Sequence, residues 1–434
     1  MDNQFNQLSF HPVIKEVINQ LAFHEPTPIQ QQAMPSILQG TSVIGQSQTG
    51  SGKTHTYLLP LFNRLDAAKQ EVQFVITAPT RELASQIYDE VKTIIQKAEK
   101  ADEWSAKLLV GGTDRQKMLD KLKKPPHIIV GTPGRILDAV KSGAVSIYSS
   151  SAFVIDEADL SLELGLIQDI DQLLIRTKED LQILAFSATI PEQLEHFYRK
   201  YMENPLRVKI NDSLLPETLE HRLISAEHRN DADMIYGISR AIQPYLAIIF
   251  TNGKDEADAL AASLQQKGLK VGIIHGGLSP RERKRTFKEI QNLHYQYIVA
   301  TDLASRGIDI KGVSHVINAQ LPKEDNFYVH RAGRTARAGM EGTVISLYHD
   351  ADNQLIGKLQ QKGITFTFWD IRNGEWQQTK SRNERNRRQK TASQTDGAAW
   401  QKVKKPKKVK PGYKKKMKKQ KETIKKTMNQ NPKK

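Results

Sequence analysis

Short apolar runs recur along this chain, and each is followed by polar residues and then by a stretch with helical periodicity. Runs that are apolar at every position are typical of strands in a parallel sheet whose two faces are both covered by helices. Their alternation with helices predicts an α/β fold. Between about residues 40 and 350 such runs occur at 74–77, 127–130, 153–155, 183–186, 247–250, 272–274, 297–299 and 316–317.

The spacing of these runs indicates two units. The runs pause between residues 203 and 216, where Asn204, Pro205 and Pro216 are residues that interrupt regular structure. A chain of 434 residues is long enough for two or three domains. We therefore expect a first α/β lobe over 1–208, a linker over 209–217, a second α/β lobe over 218–372 and a tail over 373–434.

Positive charge is concentrated in the tail. The chain has a net charge of +16, but residues 380–434 alone contain 22 Lys and Arg against three acids, a net +19, which leaves −3 for the preceding 379 residues. A block of like charge predicts a disordered arm, and lysines bind nucleic-acid phosphates regardless of sequence. Trp400 and Tyr413 lie among the lysines and are candidates to stack on bases. The alternative is a solvated arm that only keeps the protein soluble.

Composition excludes several classes of protein. The chain has no Cys, which rules out a disulfide scaffold, a thiol nucleophile and thiolate metal sites. No run approaches the roughly 18 apolar residues of a membrane span, so no membrane partner is expected. The N-terminus lacks the basic and apolar regions of a secretory signal. These features predict a cytoplasmic location.

A glycine-rich sequence follows the apolar run 42–45 and precedes a helical stretch. Glycines allow consecutive backbone N–H groups to point at phosphate oxygens, and the helix N-terminus adds its positive end. Lys53 is expected to reach the β and γ phosphates of a nucleotide, and the hydroxyl of Thr54 to bind Mg²⁺. The alternative is a flexible turn, since Ser47 stands where the common pattern has Gly. The predicted phosphate-binding residues are Ser47, Gln48, Thr49, Gly50, Ser51, Gly52, Lys53 and Thr54.

An acidic pair ends the apolar run 153–155. Asp156 is predicted to hold Mg²⁺, and Glu157 to act as the base toward an attacking water. An acidic pair at a strand end can also be a solvated loop. The presence of Lys53 in the same chain favours the catalytic interpretation.

These motifs and others resemble those of the DEAD-box family of ATP-dependent RNA helicases, over residues 3 to about 372. The acidic pair belongs to the sequence Asp156-Glu157-Ala158-Asp159. The tail most resembles that of the cold-shock helicase B type of Gram-positive bacteria. Further matching motifs, in chain order, are Phe5 with residues 23–30 (a Q motif within about 3–31), then 79–84, 111–112, 132–135, 187–189, 249–252, 275–277, 300–309 and 330–337.

The resemblance implies two tandem RecA-like lobes, each a mainly parallel sheet covered by helices, with ATP and Mg²⁺ bound at an ATP-binding lobe over about 34–208. It implies that Gln30 reads the adenine edge and that Phe5 or Phe23 stacks on the ring, although either Phe can instead be core packing. Asp309 is implied to contact the ribose. The resemblance further implies that charge on the transferred phosphoryl group is stabilised by Arg334 and Arg337.

An RNA track across both lobes is also implied, with hydrolysis coupled to lobe closure and to local unwinding of short duplexes. Small residues and hydroxyls permit close approach to the RNA backbone, and a 2′-OH contact distinguishes RNA from DNA. The candidate RNA contacts are Thr80, Arg81, Gly112, Thr132, Pro133, Gly134, Arg135, Asn252, Gly276 and Thr301. A relay that links ATP to closure is implied for Asp159, Ser187, Thr189 and His330, although a His in such a cluster can equally be a structural hydrogen bonder.

Expected partners are RNA and, further, ribosomal particles or the RNA-decay machinery; the implied roles are ribosome biogenesis, mRNA turnover or cold adaptation. Four residues depart from the family pattern. Ala22 and Ala336 replace Gly, Leu166 replaces Phe, and Gln320 replaces Asp. Of these four changes, we expect the one at Gln320 to have the largest effect, on contacts between the lobes or on their rates.

Two other functions remain as alternatives. One is a non-enzymatic RNA-binding or annealing chaperone that acts through the basic tail, and the other is a DNA helicase. The complete set of charged catalytic residues argues against the first, and the Q motif against the second.

Overall fold

The computed structural model describes residues 4–48, 50–112, 122–210, 215, 218–302, 310, 312–336, 341–372, 374–379, 403 and 413–430. Three of the predicted site residues, Thr49, Asp309 and Arg337, lie outside the described residues. So do most of the linker and most of the tail.

The first unit is a parallel sheet of seven strands. They are β1 (Val43–Gln46), β2 (Phe74–Thr77), β3 (Ala106–Leu109), β4 (Ile128–Gly131), β5 (Ala152–Ile155), β6 (Gln182–Ser187) and β7 (Leu206–Lys209). Their order across the sheet is β3-β4-β2-β5-β6-β1-β7. The helices of this unit are α1 (Pro12–Gln20), α2 (Pro28–Leu38), α3 (Lys53–Asn63), α4 (Arg81–Lys97), α5 (Pro133–Lys141), α6 (Ala158–Glu163), α7 (Ile167–Leu174) and α8 (Glu192–Tyr201), with a 3₁₀ turn at Gln4–Gln7.

Successive strand residues enter two different hydrophobic cores. Phe74 and Ile76 of β2 pack into a core shared with α1 to α4, whereas Val75 packs into a second core shared with α5 to α8. Because side chains alternate along a strand, a run that is apolar at every position is buried on both faces. The two cores therefore explain the sequence pattern of the strands.

The second unit is a sheet of eight strands. They are β8 (Leu219–Ser225), β9 (Ala247–Thr251), β10 (Val271–Ile274), β11 (Tyr297–Thr301), β12 (His315–Asn318), β13 (Gly342–Tyr348), β14 (Phe366–Arg372) and β15 (Glu375–Gln378). Their order is β10-β11-β9-β12-β13-β8-β14-β15, and only the β14–β15 pair is antiparallel among the described pairs. The helices are α9 (Asp231–Ala241), α10 (Lys254–Gln266), α11 (Pro280–Gln291), α12 (Asp325–Ala332) and α13 (Asn353–Gln361), with a 3₁₀ turn at Asp350–Asp352.

The predicted fold class is confirmed, because both sheets are mainly parallel and helix-covered. Each of the eight apolar runs contributes a strand. Strands that the runs did not predict are more polar. In β8, buried Leu219, His221 and Leu223 alternate with the half-buried Glu220 and Arg222, and β7 and β15 lie at the edges of their sheets.

The second sheet continues beyond residue 372, since β15 spans Glu375–Gln378. Within the tail, the described residues include one helix, α14 (Tyr413–Gln430), which begins directly after Gly412. No helix among the described residues is long and apolar enough to span a membrane.

Candidate active site and nucleic-acid interface

The predicted site residues follow strands that are neighbours in the sheets. The phosphate loop assigned to the nucleotide follows β1 and the acidic pair follows β5, while β6 between them carries Ser187 and Thr189 of the predicted relay. Those assigned to RNA follow β2, β3 and β4 in the first sheet, and β9, β10 and β11 in the second, which are again neighbours. Because the carboxyl ends of parallel strands meet at one edge of a sheet, each set is brought together there.

The glycine-rich loop connects β1 to α3 and has backbone conformations that favour glycine. Gly50 has φ +84°, and Gly52, the N-cap of α3, has φ +91°. A Cβ at Gly52 would also lie only 2.8 Å from Nε2 of Gln30. The positive φ and this close approach both require glycine at position 52.

Gln30 is buried against this loop. Its Nε2 donates to the carbonyl of Gly52 at 3.3 Å, and its Oε1 accepts the backbone N–H of Thr27 at 2.9 Å. A glutamine amide has two N–H donors and two acceptor lone pairs. One donor and one acceptor of Gln30 therefore remain for the edge of a base.

The two predicted stacking rings differ in exposure. Phe5 is 2% exposed and belongs to the core of the first unit, whereas Phe23 is half-buried. The rings are stacked with centroids 6.4 Å apart, and Phe23 also meets the edge of His55 at 4.9 Å. Exposed ring surface is thus offered mainly by Phe23.

Lys53 is buried, and its ammonium group pairs with Glu157, the candidate catalytic base. Its Nζ lies 3.0 Å from Oε1 of Glu157 and 3.3 Å from the carbonyl of Ser47. Burial opposes the charge, but the carboxylates of Glu157 and Asp156 outweigh it and raise the pKa of Lys53. The lysine stays protonated, as phosphate binding requires.

Asp156 is oriented by two hydrogen bonds. Oδ1 accepts the backbone N–H of Glu157 at 2.9 Å, and Oδ2 accepts the hydroxyl of Tyr57, also at 2.9 Å. Burial and the neighbouring Glu157 raise the pKa of Asp156 to about 6, whereas Lys53 and Tyr57 act in the opposite direction. The Tyr57 contact was not predicted from the sequence.

Glu157 has a left-handed backbone. Its φ is +47° and its ψ is +57°, at the N-cap of α6. This conformation costs a non-glycine residue roughly 1–3 kcal/mol and is found at functional sites. The turn carries the Glu157 side chain back toward Lys53 in α3.

The residues present fit a magnesium ion. Asp156 is 3% exposed, and Thr54 is half-buried in the first turn of α3, three residues before the Tyr57 whose hydroxyl contacts Asp156. A carboxylate and a hydroxyl are oxygen donors of the kind that Mg²⁺ prefers. One predicted metal ligand therefore belongs to the helix that carries Tyr57, and the other contacts that tyrosine.

The four residues predicted to form a relay are brought together. Asp159 Oδ2 accepts both the backbone N–H and the hydroxyl of Thr189, at 2.9 and 2.8 Å, and the Asp159 N–H donates to the Ser187 hydroxyl at 3.0 Å. Nε2 of His330, from α12 of the second unit, lies 3.8 Å from the same Oδ2. Burial would raise the pKa of Asp159, but His330, Lys53 and Thr189 together lower it.

Arg334 lies next to this relay. It is 5% exposed, and its Nε donates to the carbonyl of His330 at 3.3 Å. Of the two predicted arginine fingers it is the one within the described residues. It belongs to the second unit, four residues after His330.

The RNA candidates of the first unit are placed at helix starts. Thr80 caps α4 by accepting the N–H of Leu83 at 3.2 Å. The segment 132–135 forms the start of α5, with Thr132 as its N-cap and Pro133 in its first turn.

Side chains of the first unit also pack closely against glycines among or beside the RNA candidates. A Cβ at Gly111 would lie 2.7 Å from the guanidinium of Arg81, so this arginine packs against Gly111 of the glycine pair 111–112. Gly112 has φ +86°. At Gly134, a Cβ would approach Asp169 to 3.1 Å, and Arg135 pairs with Asp138 at 3.5 Å.

In the second unit, Arg331 organises the RNA candidates, although no role was predicted for it. Its buried guanidinium donates to both oxygens of Asp302 at 2.5 and 2.6 Å, to Asn318 at 3.0 Å and to Asn252 at 2.9 Å. Asp302 directly follows Thr301 at the end of β11, which pairs with Thr251 of β9. Gly276 lies in the loop between β10 and α11. The structural role of Arg331 becomes visible only from these partners, because the sequence alone does not show that the side chain is buried.

Gln320 also contacts this group. Its Oε1 accepts the backbone N–H of Asn252 at 2.9 Å, and its carbonyl accepts from Arg331 at 2.6 Å. The amide oxygen thus supplies an acceptor where the family pattern has a carboxylate. Both contacts lie within the second unit.

A second contact between the units was missed from the sequence. Arg283 of α11 lies 2.7 Å from Oε1 of Glu82 in α4, and both side chains are half-buried. The Nε–H is not aligned with the carboxylate, so the contact is an ion pair and not an aligned hydrogen bond. Glu82 directly follows two RNA candidates, Thr80 and Arg81.

The two alanines that replace glycine both have left-handed backbones. Ala22 has φ +56° and is exposed, and Ala336 has φ +54° and is buried. Alanine pays roughly 1–2 kcal/mol for this conformation, whereas glycine does not. At both positions the chain therefore keeps the left-handed backbone conformation that glycine permits in the family, but with the strain that alanine adds.

Fold and site together define a class: P-loop nucleoside triphosphatases built from two α/β units, here with His330 of the second unit beside Asp159 of the first.

Comparisons with known proteins identify the family. The family model described as DEAD/DEAH box helicase matches residues 27–197, and the one described as Helicase conserved C-terminal domain matches 232–339. The chain is 50% identical over 431 residues to the DEAD-box ATP-dependent RNA helicase CshB of Bacillus subtilis, covering 99% of this chain and 98% of that protein. It is 48% identical to CshB of Listeria monocytogenes, over 96% of this chain and 95% of that one.

Solved structures agree. S. cerevisiae Dbp5 bound to RNA and ADP BeF3 is similar with a TM-score of 0.74 and 27% identity, over 84% of this chain and 95% of that one. The DEAD-box helicase Mss116 bound to ssRNA and UDP-BeF gives a TM-score of 0.76 at 28% identity, over 85% of this chain and 80% of that one. The chain belongs to the DEAD-box family of ATP-dependent RNA helicases, and it is an enzyme of that family. The resemblance inferred from the motifs is confirmed.

Proposed function

We propose that this helicase hydrolyses ATP in response to RNA, and that hydrolysis is coupled to closure of lobes 1–208 and 218–372 and to local opening of short RNA duplexes. The observation that carries the proposal is the approach of His330, from the second lobe, to Asp159 beside Lys53 and Glu157 in the first. A contact at this place makes lobe position and nucleotide state depend on each other. In the proposed domain organisation, a linker over 209–217 joins the two lobes and a tail over 373–434 follows the second.

In the proposed mechanism, ATP phosphates replace Glu157 as the partner of Lys53. The Glu157 carboxylate, 3.0 Å from Lys53 before this exchange, then accepts a proton from the attacking water. Arg334 and Arg337 supply positive charge as the γ-phosphoryl group transfers. Since these arginines belong to the second lobe, closure completes the site.

Asp156 and Thr54 would hold the magnesium ion, which when bound neutralises charge on the β and γ phosphates. Tyr57 fixes the rotamer of Asp156 through its hydrogen bond. Gln30 offers its remaining donor and acceptor to the adenine edge, Phe23 offers ring surface, and Asp309 would contact the ribose.

RNA would lie across both lobes along the strand ends that carry Thr80, Thr132, Asn252, Gly276 and Thr301. Hydroxyls and glycines at these places suit contact with sugar and phosphate, which carries little sequence information. The contact of Arg331 with Asn252 holds one of these residues in position.

The tail is proposed to bind RNA phosphates without sequence preference. A specific observation also favours the alternative of a tail-driven RNA chaperone: α14 is an 18-residue helix that contains eight lysines and one glutamate. We propose a cytoplasmic role in ribosome biogenesis, mRNA turnover or cold adaptation, with ribosomal particles or the decay machinery as partners.

Phosphate release from ATP, measured with and without single-stranded RNA, tests the proposal. We expect strong stimulation by RNA, and we expect Glu157→Gln to abolish turnover while nucleotide binding is retained, because the substitution removes only the base. RNA-insensitive turnover would contradict the proposal. Equal stimulation by DNA would indicate a DNA helicase instead.

Deletion of residues 380–434 separates the enzyme from the chaperone. An enzyme is expected to keep RNA-stimulated hydrolysis and to need more RNA for half-maximal stimulation. A chaperone that acts through the tail is expected to lose strand annealing and RNA binding together, with ATP turnover low in both forms.

A further inference from the structure

The outward side of α11 carries positive charge that the mechanism above does not use. Arg281, Arg285 and Lys288 are spaced by four and three residues and are all exposed. Side chains at this spacing lie on one side of a helix. Together with Glu289, Asn292 and His294 they line a surface cavity of about 440 Å³. We call Arg281, Arg285 and Lys288 the α11 basic stripe.

The two acids of this helix engage only one member of the stripe. Glu282 accepts the N–H of Ser279 at 2.9 Å as part of a capping box at the start of the helix. Glu289 is shared between Arg285 and Tyr295, at 2.8 Å each. Within the described part of the chain, no salt bridge involves the other two members of the stripe.

The stripe continues the proposed RNA track. α11 begins at Pro280, a few residues after Gly276, which is a candidate RNA contact at the end of β10. On another side of the same helix, Arg283 contacts Glu82, which follows the candidates Thr80 and Arg81. A helix of 12 residues is about 18 Å long. Because α11 connects the end of β10 to the start of its parallel neighbour β11, it runs away from the strand ends that carry the track, and the cations along it extend in the same direction.

We propose that the α11 basic stripe binds phosphates of the RNA segment that leaves the track of the second lobe; the inference rests on the proposed RNA-stimulated activity. Charge complementarity and continuity with the track favour RNA. One large apolar side chain, Leu293, is exposed beyond the end of the helix. A single leucine is far smaller than the apolar patch that a protein or membrane surface would bury.

The test uses the full chain with Arg281→Glu and Lys288→Glu combined. The control combines Arg240→Glu and Lys358→Glu, two exposed cations of the same lobe, so the change in net charge is identical. Arg240 lies in α9, which packs near β14, whereas α11 packs on β10 at the opposite edge of the sheet. RNA affinity is measured over a series of salt concentrations with oligouridylates of about 8 and about 30 nucleotides, chosen to fall within and beyond a typical single-strand site.

The stripe variant is expected to bind the long RNA roughly tenfold more weakly, with a salt slope smaller by about 1.4, as two lost contacts to single-strand phosphates predict. Its affinity for the short RNA, and the hydrolysis that the short RNA stimulates, should match the unmodified protein. Unchanged affinity for the long RNA would overturn the inference, and so would an equal loss in the control. Failure of the proposed function is seen separately, as ATP turnover in the unmodified protein that does not respond to either RNA.

Discussion

Tyr57→Phe removes one oxygen atom from the active site and leaves the ring in place. That oxygen donates to Oδ2 of Asp156 at 2.9 Å, and Tyr57 is fully buried. A hydrogen bond to a charged group contributes about 1.5–3 kcal/mol, and the loss of the donor leaves a buried carboxylate with one partner fewer. Since about 1 kcal/mol shifts the unfolding temperature of a lobe of this size by roughly 2–4 °C, we expect the first lobe to unfold about 3–12 °C lower.

The same substitution should weaken magnesium-dependent nucleotide binding. The Tyr57 hydroxyl lowers the pKa of Asp156, so its loss moves that pKa still higher, and a larger fraction of the metal-binding carboxylate is protonated near neutral pH. The assay is binding of a fluorescent ATP analogue as a function of Mg²⁺ concentration, with thermal unfolding of the same samples without nucleotide. We expect half-saturation at a several-fold higher Mg²⁺ concentration.

Tyr198→Phe is the matched control. Tyr198 is 1% exposed in the same lobe, and its hydroxyl has no hydrogen-bond partner among the described residues. Its loss should leave the unfolding temperature and the Mg²⁺ requirement unchanged or slightly improved. If both variants behave like the unmodified protein, the hydrogen bond to Asp156 contributes nothing and the reasoning is wrong.

Three other predictions concern stability and contact between the lobes. Burial lowers the pKa of His221 to about 4, so the second lobe should lose stability as pH falls below about 6.5, by roughly 2 kcal/mol at pH 5. In urea titrations at several pH values, His221→Asn should remove this pH dependence. Ala22→Gly should raise the free energy of unfolding by about 0.5–1 kcal/mol, because the strain of an exposed alanine in the left-handed conformation is larger than the extra conformational entropy that glycine loses on folding. A lower free energy of unfolding would refute the strain argument. Reversal of either charge in the Glu82–Arg283 pair should reduce RNA-stimulated ATP turnover roughly fivefold, which corresponds to the loss of an interaction of about 1 kcal/mol. Exchange of both charges together should recover most of the turnover. If it does not, the two residues act independently.

The sequence predicted the fold class and the placement of the candidate nucleotide residues at neighbouring strand ends, because both depend on local patterns. A run such as 153–155 can be buried on both faces only in a helix-covered sheet, and Asp156 follows it at the edge where ligands bind. The relay of Asp159, Thr189 and His330 came from the family's motifs and is brought together as implied.

What the sequence could not predict are contacts between residues far apart in the chain. Arg331 stands among other arginines of its motif, and nothing local distinguishes a residue buried among Asp302, Asn318 and Asn252 from one that reaches a phosphate. Tyr57 belongs to an ordinary apolar helix face, and its hydroxyl gains importance only from Asp156, which lies 99 residues further on. Arg283 and Glu82 likewise lie on different lobes.

The order of strands in the first sheet fixes the distance between the residues proposed to bind nucleotide and those proposed to bind RNA. The proposed nucleotide and relay residues lie at the ends of β1, β5 and β6, and the proposed RNA residues follow β2, β3 and β4, in one continuous row. Neighbouring strands are about 4.8 Å apart, so β4 and β1 are held roughly 19 Å from each other by backbone hydrogen bonds. Within this lobe neither ligand can pull the other closer. Some substitutions should change the coupling between ATP and RNA binding without changing the affinity for either ligand. We expect them where the second lobe contacts this row of strand ends, at α11 and α12.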